Sequence, residues 1–422
     1  MLTPGTMVYY RPMRTIARVR LLGGFWLLLA TAMATLGGCS RGVEEVETRE
    51  AMDTQVTVRV VAANEKMAKA ALAAAWAEMD ICAAKLNRYD PKSDIARINA
   101  DAGKFHTSVL PLTATCLGAA RGLSTATGGA FDPTVGPLVD LWRRAAKEDR
   151  LPTDDELAKA RSLIGMDKVD IIMAQMQPGM MAQAEPSEEE EKAEEKAEEQ
   201  GKPGLGPMMM HAVGIPQGMS LDLGAIAKGY IAGRMANRMA QAGAIAGLVA
   251  AAGDICGFGE RPRNLVKIGG DRRWSVAVQD PRYPEDRSRF YTAIHVENKG
   301  VCTSGHYYRG YTIQGKRYSH ILDPRTGRPV DNRLASVTVV AFDPATADAL
   351  ATALVVMGVE KGMELVAKLE GVECLMLEAK LKEGQEFQAS GAPPPEAELI
   401  AHRSRGFAAL EFKPESAEAA AK

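Results

Sequence analysis

Residues 219–253, MSLDLGAIAKGYIAGRMANRMAQAGAIAGLVAAAG, decide the fold. An extended run ends at Asp222, Gly224 permits a tight turn, a helical pattern follows, and IAGLVAAAG (245–253) reads as the next strand. Downstream, strands follow one another instead of alternating with helices. They are expected near 264–268, 273–279 and 289–296, at VCTSG (301–305), in the hairpin-like YYRGYTIQGKRYSHI (307–321) and at ASVTVVAF (335–342). Helices are expected over 346–357 and 359–369, with closing strands near 373–378 and 406–412. Upstream, 54–61 alternates as a strand, Asn64 caps an Ala-rich helix to residue 84, and further helices fall at 109–126 and 154–164. TGGAFDPTVGPLVDLWR (127–143), punctuated by Gly and Pro, reads as a structured loop, and VDIIM (169–173) as a strand. Strands outnumber helices and adjoin one another. The fold class is therefore α+β, with mixed or largely antiparallel sheets flanked by helices.

The chain has 422 residues, 46% hydrophobic and 25% charged, with formal net charge -2. That profile is globular, and it lacks the concentrated positive charge that a nucleic-acid partner requires. The charge is unevenly placed. Residues 1–38 hold four Arg (Arg11, Arg14, Arg18, Arg20) and no acid, followed by an apolar run ending Leu36-Gly37-Gly38-Cys39. A basic start, an apolar stretch and small residues before a cut describe a secretory signal. Cys39 in that position is similar to the acylated cysteine of a bacterial lipoprotein box. The expected location is thus outside the cytoplasmic membrane, lipid-anchored to the cell envelope and facing the periplasm. The other five cysteines (82, 116, 256, 302, 374) show no zinc-like spacing, and no disulfide is expected.

Residues 174–210 hold nine Glu against three Lys in a low-complexity run flanked by methionines, and are expected to be a disordered acidic insert. Its thioethers, with His211, are of a type that suits Cu(I), but the composition reads as a solvated loop. The expected organisation is a signal at 1–38, a polar linker at 39–50 and one domain of two interleaved subdomains from 51–173 and 211–412. The insert 174–210 interrupts that domain and a polar tail, 413–422, follows it.

Three segments carry chemistry. In ADALATAL (347–354), Asp348 and Thr352 are four apart, so their oxygens share one helix face and could hold a hard cation such as Mg2+. In LDLGAIAKGY (221–230), Lys228 lies just inside a helix start, where a positive charge needs a negative partner, either Asp222 or a bound phosphate. In SHILDPRTGRPV (319–330), His320 is one of six histidines and can move protons near neutral pH. Ser304 lies upstream, but no GxSxG elbow frames it, and GxGxxG, P-loop and HExxH motifs are all missing from the sequence.

Together these motifs resemble the bacterial FAD:protein FMN transferases of the ApbE type. The matching pieces run in order: MDT (52–54), LNRYDPKSDIARIN (86–99), GGAFDPTVGPLVDLW (128–142), LDLGAIAKGY, AGDI (252–255), WSVAVQDP (274–281), TSGHY (303–307), SHILDPRTGRPV and ADALATAL. The resemblance implies an enzyme that binds FAD with Mg2+, transfers the FMN phosphoryl half to a Thr of a partner flavoprotein, and releases AMP. It also implies flavin or adenine contacts at Met52, Tyr89, Ala130, Phe131, Asp132, Asp222, Lys228 and Ile321. Metal contacts are implied at the carbonyls of Ala225 and Ala351 and the side chains of Asp348 and Thr352. His320 and Lys228 would be catalytic. Implied acceptors are subunits of membrane electron-transport complexes of the Rnf or sodium-pumping NADH:quinone reductase type, served by a monomer or a homodimer.

The chain departs from the family at Asp53, where Gly is common after the Met, and at Ala252, where Gly-Gly-Asp-Ile is usual. Two alternatives stand beside the transferase: a Mg-dependent FAD pyrophosphatase yielding FMN and AMP, and a non-catalytic flavin-binding lipoprotein.

Overall fold

Eight antiparallel strands pair in chain order to form one sheet: β1 (Val43–Ala51), β2 (Thr54–Ala62), β3 (Ala246–Ala251), β4 (Asp254–Phe258), β5 (Lys299–Gly305), β6 (Leu334–Ala341), β7 (Glu373–Lys380) and β8 (Glu398–Arg403). The structure is a computed structural model, and it describes residues 42–176, 208–267, 270–305, 309–380 and 391–412. The expected signal with Cys39, residues 177–207 of the expected insert, and the 413–422 tail lie outside the described residues. Among the described residues, no helix is long and apolar enough to cross a membrane.

Strand β6 (LASVTVVA) is buried at all eight positions because both faces of the sheet are covered. One face carries α1 (Glu65–Leu86), α3 (Pro111–Ala126), α6 (Ala227–Gln241) and α7 (Pro344–Val366) over a large apolar cluster that includes Val58, Trp76, Leu117, Met235, Val339 and Leu350. The other face packs a three-stranded sheet (Trp274–Gln279, Phe290–Val296 and Glu411–Phe412) through Trp274, Val276, Ile294 and Phe407. A third cluster joins α4 (Gly136–Lys147) and α5 (Asp154–Ser162) to the hairpin Gly310–Ile313/Lys316–Ser319. The short α2 (Asp94–Ala100) lies between α1 and α3 in the chain.

The fold class is α+β with antiparallel sheets, as expected. Several element readings change. The 39–50 linker is, from Val43 onward, edge strand β1, whose glutamates hid the alternation. Charge on a sheet edge is a common defence against edge-to-edge pairing. Met52 and Asp53 form the two-residue loop to β2 with φ of 52° and 57°. Both central residues of such a loop need positive φ, so Asp53 fills a position that favours Gly, Asn or Asp. Ala252, with φ 55°, does the same in the β3–β4 turn.

The segment read as a loop over 127–143 contains α4. Its Gly136-Pro137 pair lies in the first turn, which Pro suits, and Leu138, Leu141, Trp142 and Ala145 fall on one buried face. The strand expected at 264–268 is instead a 3-10 turn at Arg263–Leu265, and that at 406–412 shortens to Glu411–Phe412 after another turn. The insert boundaries at 174 and 210 also move. Asp170–Met176 and Met208–Gly214 pair along their whole length, so hairpin pairing enters the low-complexity run from both sides. The extended run ending at Asp222 pairs with no strand. The Asn99 side chain exchanges two hydrogen bonds with the Leu221 backbone, and Asp222 N donates to Pro133 O at 2.7 Å.

Candidate active site

Three glycines let the start of α7 press into the sheet and against α6. A Cβ added at Gly300 of β5 would stand 2.3 Å from Pro344 Cα, one at Gly229 2.2 Å from Pro344 O, and one at Gly233 2.8 Å from Pro344 Cγ. Asp343 caps α7 by accepting from the amides of Ala345 and Thr346. The apolar stripe of that helix faces the core, so Asp348 is carried inward to 3% exposure.

Asp348 Oδ2 accepts from the Gly229 amide at 2.9 Å. Gly229 is in the first turn of α6, a helix with no side-chain N-cap of its own. Asp348 thus satisfies one of the free N–H groups of that helix start. The partly buried Lys228 pairs with Asp254, the buried first residue of β4. Its cation is therefore held by Asp254. Asp222, the expected protein partner, pairs instead with Arg88 at 2.8 Å.

Electrostatically, the group holds two buried carboxylates against one lysine. Burial, then the nearby Asp254, push the Asp348 carboxyl up to about 7, against the pull of Lys228 and the Gly229 amide. Burial opposes charge on Lys228, but Asp348 and Asp254 outweigh it and hold its ammonium above the ordinary lysine value. Cys302 lies beside them with its thiol pushed well above its ordinary value by burial and then by Asp254 and Asp348, so it is inert as a nucleophile. One turn on from Asp348, Thr352 Oγ1 stands 3.1 Å from Ser304 Oγ of β5. A buried carboxylate, two hydroxyls and an excess of negative charge form a hard-oxygen set that fits Mg2+. Among the described residues, no cluster of three His, Cys, Asp or Glu could hold a metal, so carbonyls, water or a phosphate would have to complete the shell.

The other candidate residues lie on several separate elements. Ala351 is fully buried inside α7 and Ala225 lies in the turn before α6. Met52 occupies the β1–β2 loop, at the same end of the sheet as the β3–β4 turn that precedes Asp254. Tyr89 is 59% exposed. Arg88 and Arg143 lie over its ring at 5.5 and 5.1 Å, and Arg143 donates to its hydroxyl at 2.7 Å. Ala130, Phe131 and Ile321 are buried apolar wall. The Asp132 carboxylate is occupied by its own surroundings, accepting from Thr134 N at 2.8 Å, Thr134 Oγ1 at 2.6 Å, Ser124 Oγ and Met166 N. His320 stands after the hairpin ending at Ser319. Its Nδ1–H donates to Arg309 O at 3.0 Å, which leaves Nε2 as the proton-accepting nitrogen of the neutral ring.

Two participants went unread in the sequence. Asp254 is in the AGDI piece, yet nothing local marks it as the counter-ion of Lys228, 26 residues away. Arg88 ties Asp222 to Asp140 of α4, at 2.8 and 2.7 Å, and its neighbours in LNRYDP gave no hint of that link.

A family model described as the ApbE family matches residues 52–376. Among curated proteins, a FAD:protein FMN transferase of Vibrio cholerae is 29% identical over 377 residues, covering 87% of this chain and 98% of the relative. One from Treponema pallidum is 30% identical, covering 69% of this chain and 72% of its own. Among solved structures, the ApbE protein of Thermotoga maritima matches with TM-score 0.64 and 27% identity, over 88% of this chain and all of that one. The flavin transferase ApbE from Vibrio cholerae matches with TM-score 0.61 and 26% identity, over 87% and 99%.

Proposed function

We propose, from the premise that this chain belongs to the ApbE family, that the Lys228–Asp254–Asp348 group is the phosphoryl-transfer centre of a FAD:protein FMN transferase. The chain is a transferase, FAD is its substrate, and its partner is a flavoprotein acceptor. The finer reading is that a Thr hydroxyl of the acceptor attacks the flavin-side phosphorus of FAD. The bond to the AMP phosphate breaks, AMP leaves, and the Thr proton passes to a base, for which His320 Nε2 is the candidate.

One observation carries this reading: a buried carboxylate with excess negative charge around it, next to two hydroxyls, at the start of two helices. Mg2+ held there by Asp348 and Thr352, with the carbonyls of Ala225 and Ala351, would neutralise pyrophosphate charge as the bond breaks. Asp348 also caps α6 and so fixes the approach of the two helices. Lys228, held charged by Asp254, would supply a cation to the phosphates of bound FAD. Tyr89, more than half exposed and flanked by Arg88 and Arg143, offers an aromatic surface with cations beside it for a ring, while Ala130, Phe131 and Ile321 supply apolar wall.

The sequence of residues 1–39 supports export and acylation of Cys39, which would place the enzyme on the envelope membrane facing the periplasm. Acceptors there would be Rnf-type or sodium-pumping NADH:quinone reductase subunits. The test is incubation with FAD, Mg2+ and such subunits, read as in-gel flavin fluorescence of the acceptor and released AMP. FMN and AMP without labelled acceptor would indicate a pyrophosphatase, and neither product would indicate a binding protein only.

A further inference from the structure

Gly42, the first of the described residues, is pinned just before β1. Gly42 N donates to Asn264 Oδ1 at 3.0 Å, and Asn264 Nδ2 donates back to Gly42 O at 2.9 Å. A Cβ on Gly42 would stand 2.6 Å from Pro262 Cγ, so only glycine lets the strand lie this close to the loop that follows β4. That loop is rich in cations: Arg261, Arg263, Lys267, Arg272 and Arg273 stand against Glu260 and Asp271.

Most of these charges are already balanced. Arg272 pairs with Glu260 at 2.8 Å and Arg273 with Asp271 at 2.5 Å, while Glu44, just inside β1, is matched by Arg59 at 2.7 Å. Arg261 is buried and donates to the Arg273 carbonyl. Arg263 and Lys267 remain. Both are exposed, and neither has an ion-pair partner among the described residues. The uncompensated positive charge of the loop is thus concentrated beside the residue where the chain enters the sheet.

We infer that the Arg263–Lys267 loop is a docking surface for the anionic phospholipid headgroups of a bilayer. The inference rests on Cys39 being the lipid-bearing residue. Only two residues, Ser40 and Arg41, separate Cys39 from the pinned Gly42, so three Cα–Cα steps give a reach of at most about 11 Å. An acyl chain on so short a tether holds this end of the sheet close to the headgroups, near the range over which surface charge acts (about 8 Å at physiological salt). A tether alone leaves the body free to tumble. Two unpaired cations at the same end give it one preferred face, each strengthening contact about fivefold.

The test uses the full-length protein reconstituted on vesicles of neutral phosphatidylcholine, or of phosphatidylcholine mixed with anionic phosphatidylglycerol. A membrane-impermeant amine reagent is applied and modification of Lys267 is followed by peptide mass, with exposed Lys361 as internal reference. The expected result is labelling of Lys267 slowed about fivefold or more on the anionic vesicles, with protection lost near 0.5 M salt as charges are screened. Arg263→Glu should weaken that protection without altering the melting temperature. Equal labelling on both vesicle types would overturn the inference. The mass of the peptide bearing Cys39 separates the two readings. Acylated Cys39 with unprotected Lys267 removes the surface, and unacylated Cys39 with protected Lys267 removes the anchor.

Discussion

The Gly229 amide meets Asp348 Oδ2 at 2.9 Å, at a point where α6 and α7 approach too closely for any side chain between them. Gly229→Ala should therefore push the helices apart. Overpacking of this kind costs about 1–3 kcal/mol. The expected readout is a lower melting temperature together with a loss of transfer activity larger than the lost stability explains, because the Asp348 carboxylate moves with the helix.

Lys228 and Asp254 are a half-buried ion pair, and removing one partner should be worse than removing both. Lys228→Met leaves Asp254 uncompensated and should cost about 3 kcal/mol in a denaturant titration. Lys228→Met combined with Asp254→Asn should recover much of that stability but none of the activity. A double variant no more stable than the single one would show that the pair is not coupled.

Asp348→Asn keeps the shape and the Gly229 contact but removes the charge. Wild-type protein should gain melting temperature with added Mg2+, and the variant should not, along with losing Mg2+-dependent transfer. His320→Ala should keep the Mg2+-dependent melting shift while kcat falls about 100-fold or more. An undiminished kcat at neutral pH would remove His320 from the chemistry.

Arg88 touches both Asp222 and Asp140, so its loss should loosen the loop that carries Asp222 without touching Lys228, Asp254 or Asp348. Arg88→Ala should raise KM for FAD about tenfold and leave kcat within a few-fold. A fall in kcat at unchanged KM would place Arg88 in the chemical step instead.

Glu78 of α1 receives Arg234 Nε at 2.5 Å and Arg238 Nε at 2.7 Å, binding α1 to α6 through a carboxylate only 2% exposed. Burial works against its charge, yet the hydrogen bonds from Arg238 and Arg234 prevail and hold its pKa below the ordinary glutamate value. The sign follows: its contribution is present above the unfolded value and is lost as pH falls through the depressed one. Glu78→Gln loses the charge of these hydrogen bonds and should cost about 2 kcal/mol at neutral pH and flatten the acid limb of the stability profile.

The sequence was most legible where apolar periodicity and steric punctuation agreed. The α7 helix, the β6 strand and the break at Gly358 between two helical patterns were all readable, and at that break φ is 77°. Asp348 and Thr352 could be paired because a helix has a fixed period. Legibility failed in two ways. Where polar residues cover an apolar element, as the glutamates of β1 do, or where Gly and Pro open a helix, as in α4, composition suggests loop. Where partners meet through the sheet, as Lys228 with Asp254 and Arg88 with Asp222, no local spacing encodes the contact. Lys228 visibly needed an anion, but which one depended on strand order.

Strand β1 also works as a measuring rod. Gly42 sits at one end, and the Met52–Asp53 loop, beside the turn that precedes Asp254, sits at the other. Nine extended residues span roughly 30 Å, so β1 sets the separation between the loop that holds Gly42 and the end of the sheet that holds Asp254. Substitutions at the Gly42–Asn264 contact should therefore lower the melting temperature while leaving the Lys228–Asp254 pair, and the transfer activity, in place.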